Sequence, residues 1–225
     1  GPKAGAELRY SLRSLANIPH GTVWIVGHKP AWVGNVGHVP VPQKSTKFRN
    51  TTNSVYAACK STDVSDTFSL WNDDFFALQR TTIPNWHRGP VVPSQQELAK
   101  TMRARRRAAH RSGRAATYDL LVRWGHDHPL DYDIHVPMKV DSDLMVEVLD
   151  RAAPANIAAL HKRTLYGNVA KVGGRQHDDP KITSLTATWQ PRQRWVSTYD
   201  RSFADGKVGR DLRALFPDPS PYEVD

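Results

Sequence analysis

Residues 67–76 read TFSLWNDDFF. The run from Thr67 to Trp71 is β-branched and aromatic, and Asn72-Asp73-Asp74 cuts it off at once. That pattern predicts a strand ended by turn-forming residues. Towards the N-terminus, TVWIVG at 22–27 predicts a second, buried strand. Between the two, residues 28–46 are rich in Gly, Pro, His and Lys and predict a loop. Residues 50–60 predict a helix that starts within Asn50–Asn53. Ahead of both strands lies ELRYSLRSLANI at 7–18, in which Leu8, Leu12, Leu15 and Ile18 form one stripe of a 3.6-residue period. Arg9 and Arg13 share another face of that helix, four residues apart, so their guanidinium groups can converge. Pro19-His20-Gly21 stops it. Helix, strand, loop, helix, strand is the order of an α/β fold.

Beyond Phe76 the periodicity weakens. Residues 81–93 hold three prolines and predict a connection. Residues 94–111 are strong helix formers, with Ser94 as N-cap and Gly113 as the stop. Residues 117–124 fit helix or strand. Helices are expected over 141–152, capped by Asp141 or Ser142, and over 155–166. The end, 213–225, is Pro-rich after a short helix.

The composition narrows the class. The chain has 225 residues, 31 Lys+Arg against 22 Asp+Glu, a net charge of +9 and one cysteine. This length predicts a single domain, 1–225, with a real core. Cys59 alone makes neither an intramolecular disulfide nor a Cys-rich zinc site. No apolar run is long enough for a membrane span, and GPKAGAELRY has no apolar signal segment. The expectation is a cytoplasmic protein, in the bacterial host cytoplasm if phage-encoded.

Seven cations crowd between Glu97 and Asp119 with no acid among them: Lys100, Arg103, Arg105, Arg106, Arg107, Arg111 and Arg114. Such a segment suits a polyanion, nucleic acid above all, and equally a solvated arm without a ligand.

Three further patterns can carry chemistry. Asp73 and Asp74 are adjacent carboxylates at the end of a strand, where α/β sheets bind ligands. They suit Mg²⁺ or Mn²⁺ bridging to substrate phosphates, or simply a turn. His135 stands between Ile134 and Val136-Pro137, held extended, as a candidate general base or a structural histidine. His126 and His128 offer a weak alternative metal pair. Arg163 and Lys181 lie near the carboxylates Asp178 and Asp179.

Glu7–Leu15 (ELRYSLRSL) resembles the first signature of the Stealth family of sugar-1-phosphate transferases, which includes bacterial capsule polymerases and the lysosomal-enzyme GlcNAc-1-phosphotransferase. The likeness continues in order. Trp24-Ile25-Val26 and then Pro30-Ala31-Trp32 resemble the family's strand and its P-x-W step. Asn50–Ser54 leads to the NDD of Asn72–Asp74, His135-Val136-Pro137 is similar to its H-x-P step, and Phe216–Glu223 to its closing FP-x-x-S-x-(F/Y)-E.

The resemblance implies a Rossmann-like, glycosyltransferase-A-type α/β core with additional helices that binds a nucleotide-sugar donor. Residues 1–93 become the donor-binding half, 94–115 a basic helix and 116–225 the acceptor half. It further implies Asp73 and Asp74 on Mg²⁺ or Mn²⁺ and the diphosphate. Arg9 and Arg13 fall at donor phosphate, with Asn50 and Lys181 among the donor contacts. Asp74, His135 and Arg163 fall to catalysis, His135 as the base. Glycosyl transfer and sugar-phosphate transfer use the same residue types.

The small size and basic segment favour a polyanionic acceptor, and the expectation is a compact, phage-type enzyme that modifies hydroxylated bases of DNA. The nucleic-acid contacts expected are Arg103, Arg105, Arg106, Arg107, Arg111 and Arg114. The other acceptor considered is a cell-surface glycan, and a non-catalytic DNA-binding module is the alternative of another class. Charge reversal of Arg105, Arg106 and Arg107 is expected to weaken DNA binding, each lost phosphate contact taking about 0.9 off the log–log salt slope. A slope unchanged in a salt titration followed by anisotropy removes the polyanion reading of this segment.

Overall fold

The computed structural model describes residues 5–91 and 105–224. It is a mixed helix and strand fold whose strands form several small sheets. The helix read over 7–18 is α1, Ala6–Ser14, followed by a 3₁₀ turn at Leu15–Asn17. β1 (Trp24–Val26) lies where a strand was expected. Its parallel partner β2 (Gly37–Val39) falls inside the expected loop. The signal for β2 is hidden because Gly37 is there for space: a Cβ on it would lie 2.3 Å from the Trp24 ring. α2 spans Lys47–Lys60 and begins earlier than read, because Thr46 accepts the Arg49 N–H at 3.3 Å as N-cap.

β3 (Thr67–Leu70) ends just before Asn72-Asp73-Asp74 and pairs antiparallel with a later strand, Met138–Asp141. After the turn the chain re-enters the protein as β4 (Phe75–Ala77), all three residues fully buried. On one edge β4 pairs antiparallel with the strand Trp195–Thr198, which pairs parallel with Lys181–Ile182. On its other edge it has side chains instead of a strand. Ser11 Oγ donates to the Phe75 carbonyl at 2.7 Å, and Asn17 Nδ2 donates to the Ala77 carbonyl at 2.8 Å. Ser14 Oγ accepts the Ala77 N–H at 3.2 Å. The buried serines of α1 thus satisfy backbone groups that would otherwise be lost in the core. Leu12 and Leu15 pack beside them against Val33.

The later strands and helices follow. β5 (Trp86–His87) pairs parallel with β7 (Arg175–Gln176), and β6 is the Met138–Asp141 strand. β8 and β9 are Lys181–Ile182 and Trp195–Thr198. α3 runs over Arg105–Arg123, α4 over Ser142–Ala152, α5 over Lys162–Val169, α6 over Asp200–Asp205 and α7 over Lys207–Leu215. Asp141 caps α4, its carboxylate accepting from Leu144 N at 2.9 Å. One core cluster joins α2, α4 and β6 through Val55, Met145, Leu149 and Val140. Another joins β4, β9 and α7 through Phe76, Val196 and Leu212.

Two expectations are corrected. Gly113 does not stop a helix, since α3 continues through it to Arg123. A Cβ there would stand 2.0 Å from the Ala159 carbonyl oxygen, so the glycine permits close approach. The helix expected over 155–166 begins only at Lys162, because Ala153–Ala155 is a 3₁₀ turn containing Pro154 and Asn156 adopts a left-handed φ of 46°. Ser94, the expected N-cap, lies outside the described residues.

Ser14→Ala is expected to destabilise by about 1–3 kcal/mol, because it leaves the buried Ala77 N–H unpaired. Ser112→Ala, whose exposed hydroxyl bonds only its own helix at Ala109 O, is expected to stay within about 0.5 kcal/mol. Urea unfolding of the two variants checks the contrast.

Candidate active site

The turn between β3 and β4 delivers Asp74 against β8 and β9. Its Oδ2 accepts from Lys181 Nζ at 2.7 Å and Ser197 Oγ at 3.2 Å. Its Oδ1 is buried and has no hydrogen-bond partner among the described residues. Burial, then the neighbouring Asp74, raises the Asp73 carboxyl above its usual range, against the pull of Lys47. Glu7 of α1 joins the group and accepts a hydrogen bond from the Thr198 hydroxyl. Burial pushes Glu7 up to about 7, and the charges of Asp74, Asp73 and Asp200 add to the shift. Two carboxyls raised chiefly by loss of water, beside a buried Asp74 oxygen with no partner among the described residues, form an environment that a cation relieves.

Beside this acidic group stands a histidine–carboxylate pair. His135 Nδ1 lies 2.8 Å from Asp179 Oδ2, and the His135 backbone N–H donates to Asp179 Oδ1 at 3.1 Å. With Nδ1–H directed at the carboxylate, Nε2 is the basic nitrogen of the neutral ring. Burial favours the neutral Asp179, but the hydrogen bond and charge of His135 outweigh it and hold the carboxyl below its usual range. The Phe75 ring separates the pair from Arg163: it meets His135 edge-on at 6.2 Å, and the Arg163 guanidinium lies 5.7 Å from its centroid. Arg163 donates through Nη2 to the Val136 carbonyl, while its buried Nε has no partner among the described residues. Burial lowers the guanidinium to about 10, against the charges of Asp133, Asp179 and Asp74.

The structure therefore brings together Asp73, Asp74, His135, Arg163 and Lys181, all named from the sequence. It separates others. Arg9 and Arg13 do converge, but on Glu223 of the closing motif rather than on an open phosphate position. Arg13 Nε and Nη2 take the two Glu223 oxygens at 2.8 and 2.9 Å, and its Nη1 donates to the carbonyls of Phe216 and Pro217. Arg9 pairs with the same carboxylate and lies over Trp32 at 4.3 Å. Burial pushes Glu223 up, but the arginines and the Ser220 N–H outweigh that and bring it to about 2. Asn50 is committed to the turn before α2, bonding Ser45 N and Ser45 O at 3.0 Å each.

Of the expected nucleic-acid contacts, Arg103 lies outside the described residues, and only the helical backbone is described at Arg105, Arg106 and Arg107. Arg111 is half-buried. Arg114 is corrected outright: its side chain is 2% exposed and pairs with buried Asp131 at 2.5 Å, so no phosphate reaches it. Sequence reasoning passed over Glu7, Asp179, Ser197 and Thr198. Glu7 sits within the quoted signature, and Asp179 was noted only as nearby charge. No helix among the described residues is long and apolar enough to cross a membrane. No protein-family model matches the chain, and no curated protein is significantly similar to it.

The shift at Glu7 has a defined pH signature. Its folded pKa is raised, so its favourable contribution is full below the unfolded value of 4.5 and is lost as pH rises towards about 7. Glu7→Gln is therefore expected to gain on the parent protein between pH 5 and pH 8, by about 1–2 kcal/mol once solvent screening is discounted. Urea unfolding at the two pH values measures it, and a difference that does not change with pH refutes the assignment.

Proposed function

We propose that this chain is a nucleotide-sugar-dependent transferase, moving a glycosyl or sugar-1-phosphate group, with Asp74, His135, Arg163 and Lys181 at its centre. One observation carries the reading: residues from four distant segments meet around Phe75 as a metal-type carboxylate, an oriented base and two cations. The Rossmann-like, glycosyltransferase-A-type core and the likeness to Stealth transferases belong to this proposal. The unpartnered Asp74 Oδ1 and the raised Asp73 fit a divalent cation, Mg²⁺ or Mn²⁺. Asp73 and Asp74 would hold such an ion, and it would supply positive charge against the donor's diphosphate.

The chain's own residues do the rest. Asp179 holds the His135 ring so that Nε2 takes the proton of an acceptor hydroxyl as that oxygen attacks. Lys181 and Arg163 offset negative charge on the departing nucleotide. The proton ends on His135 and the bond electrons on the leaving phosphate oxygen. The basic segment ahead of and within α3 supports a polyanionic acceptor, and we assign DNA carrying hydroxylated bases to that place. Duplex DNA requires the target base to be flipped out.

The test is incubation with UDP-, GDP- and CDP-sugars and Mn²⁺, with and without hydroxymethyl-pyrimidine DNA, read by mass spectrometry. Nucleoside diphosphate release with a sugar-mass gain on DNA marks glycosyl transfer, and monophosphate release marks sugar-phosphate transfer. Asp74→Asn is expected to abolish turnover. His135→Ala is expected to cost about 10²–10⁴ in kcat. DNA affinity is expected to survive both changes. Salt-sensitive DNA binding with no nucleotide release from any donor favours a binding module instead.

A further inference from the structure

A second cluster joins α3 to the two segments that carry His135 and Arg163. His110 of α3, Asp133 of the extended segment before β6, and His161 at the start of α5 meet within 4.8 Å, each offering one ligand atom. His110 Nε2 and His161 Nδ1 each lie 3.1 Å from the same oxygen, Asp133 Oδ2.

The hydrogen-bond pattern constrains the ring nitrogens there. His161 Nε2 lies 3.1 Å from the His110 carbonyl oxygen, which only accepts, so Nε2 carries the hydrogen. In the neutral ring Nδ1 is then a bare lone pair, and it faces a carboxylate oxygen. Two acceptors in contact repel, so a positive charge belongs between them. A proton on His161 Nδ1 supplies one such charge. His110 Nε2 converges on the same oxygen at 3.1 Å, so three donor groups share one point. A metal ion answers all three donors together. Ligand–metal distances of about 2.0–2.2 Å accommodate donor atoms about 3.1 Å apart.

The supporting contacts match what a metal site needs. The His110 carbonyl fixes the His161 tautomer, and the Asp133 backbone N–H donates to Asp131 Oδ1 at 2.9 Å. Two cations stand close. Arg114 Nη2 lies 3.4 Å from Asp133 Oδ2, but Arg114 is paired to Asp131 at 2.5 Å. Lys162 is anchored to Thr51 Oγ1 at 3.2 Å.

The geometry points to a divalent transition-metal site at His110, Asp133 and His161, of the zinc class, separate from the hard-cation site of Asp73 and Asp74. Two imidazoles and one carboxylate suit Zn²⁺ or Co²⁺ rather than Mg²⁺, which demands oxygen. Water completes the shell, since the side chains of Asp133 and His110 are 30% and 25% exposed. The ion ties α3, the 131–135 segment and the start of α5 together, and so acts on His135 and Arg163 by position. The inference stands whether or not the transferase reading does.

The test uses the full chain, stripped with a chelator and titrated with Co²⁺. One saturable equivalent with visible d–d absorption is expected, displaced by stoichiometric Zn²⁺, with Tm raised by roughly 4 °C or more. Asp133→Asn and His110→Gln preserve volume and are expected to weaken Zn²⁺ binding at least about 10-fold. Asp74→Asn is expected to bind Zn²⁺ as the parent does. Featureless Co²⁺ spectra with Tm unmoved by Zn²⁺ overturn the proposal. So does unaltered binding in Asp133→Asn, or loss of the ion in Asp74→Asn.

Discussion

Everything at the candidate site depends on how a three-residue strand is kept inside the protein. Phe75, Phe76 and Ala77 are fully buried, and a strand that short carries little pairing of its own. β9 satisfies one edge. The other is satisfied by Ser11, Ser14 and Asn17, side chains three apart along one face of the first helix and its 3₁₀ extension. A helix covering a strand edge leaves no open edge for another chain to pair with. It also fixes the register of the strand, and therefore the place where Asp73 and Asp74 emerge. Trp71 reinforces the arrangement by donating from Nε1 to Ser11 Oγ at 2.8 Å, just before the acidic turn.

The same helix explains why so many positions of ELRYSLRS are polar. Glu7 reaches Thr198, the serines reach β4, and Arg9 and Arg13 hold Glu223 more than 200 residues away. A fork of two arginines on one carboxylate locks the C-terminal segment over α1, and Tyr222 adds a hydrogen bond to His20 at 2.7 Å. The motifs at the two ends of the described chain are therefore one structural unit. The arginines are consumed in holding it, while Lys181 pairs with Asp74 and Lys47 acts on Asp73 at the acidic turn.

How legible this was in the sequence depended on the range of each interaction. A 3.6-residue stripe identified α1, short apolar runs bounded by turn residues identified β1 and β3, and a capping residue ahead of helix formers identified α4. The i, i+4 spacing of Arg9 and Arg13 foretold their convergence but was silent on Glu223, whose approach is set by tertiary packing. Gly113 was misread for a similar reason: a glycine after a run of helix formers looks like a stop, and only the Ala159 backbone against it shows that it is an opening. β4 was invisible because three apolar residues have no period. Asp73, Asp74 and His135 were legible as candidates because each stands in a short distinctive context, while Arg163 and Lys181 rested on the family resemblance. His110 and His161 were not, since ligands 51 positions apart on two helices leave no spacing to read.

The segment from Asp131 to Pro137 links the two halves of the chemistry. Asp131, Asp133 and His135 stand at alternate positions along it, and the chain bends at His135, where the Val136 N–H donates to the Ile134 carbonyl at 2.9 Å. Asp131 balances the buried Arg114, Asp133 takes the two histidines, and His135 takes Asp179. Burial disfavours an isolated carboxylate, yet Asp133 is held well below its usual range, because His161 and His110 outweigh the loss of water. Asp131 and Asp133 are thus compensated from α3 and the start of α5, and His135 is paired with Asp179 of the stretch before β8. A charge removed at Asp133 frees two imidazoles and the ends of two helices at once. It does so two residues from His135 and beside the α5 start that carries Arg163. Ile134 and Val136 pack with Ala77 and Trp195 in one apolar cluster, so core packing and the His135–Asp179 pair together set His135 beside β4.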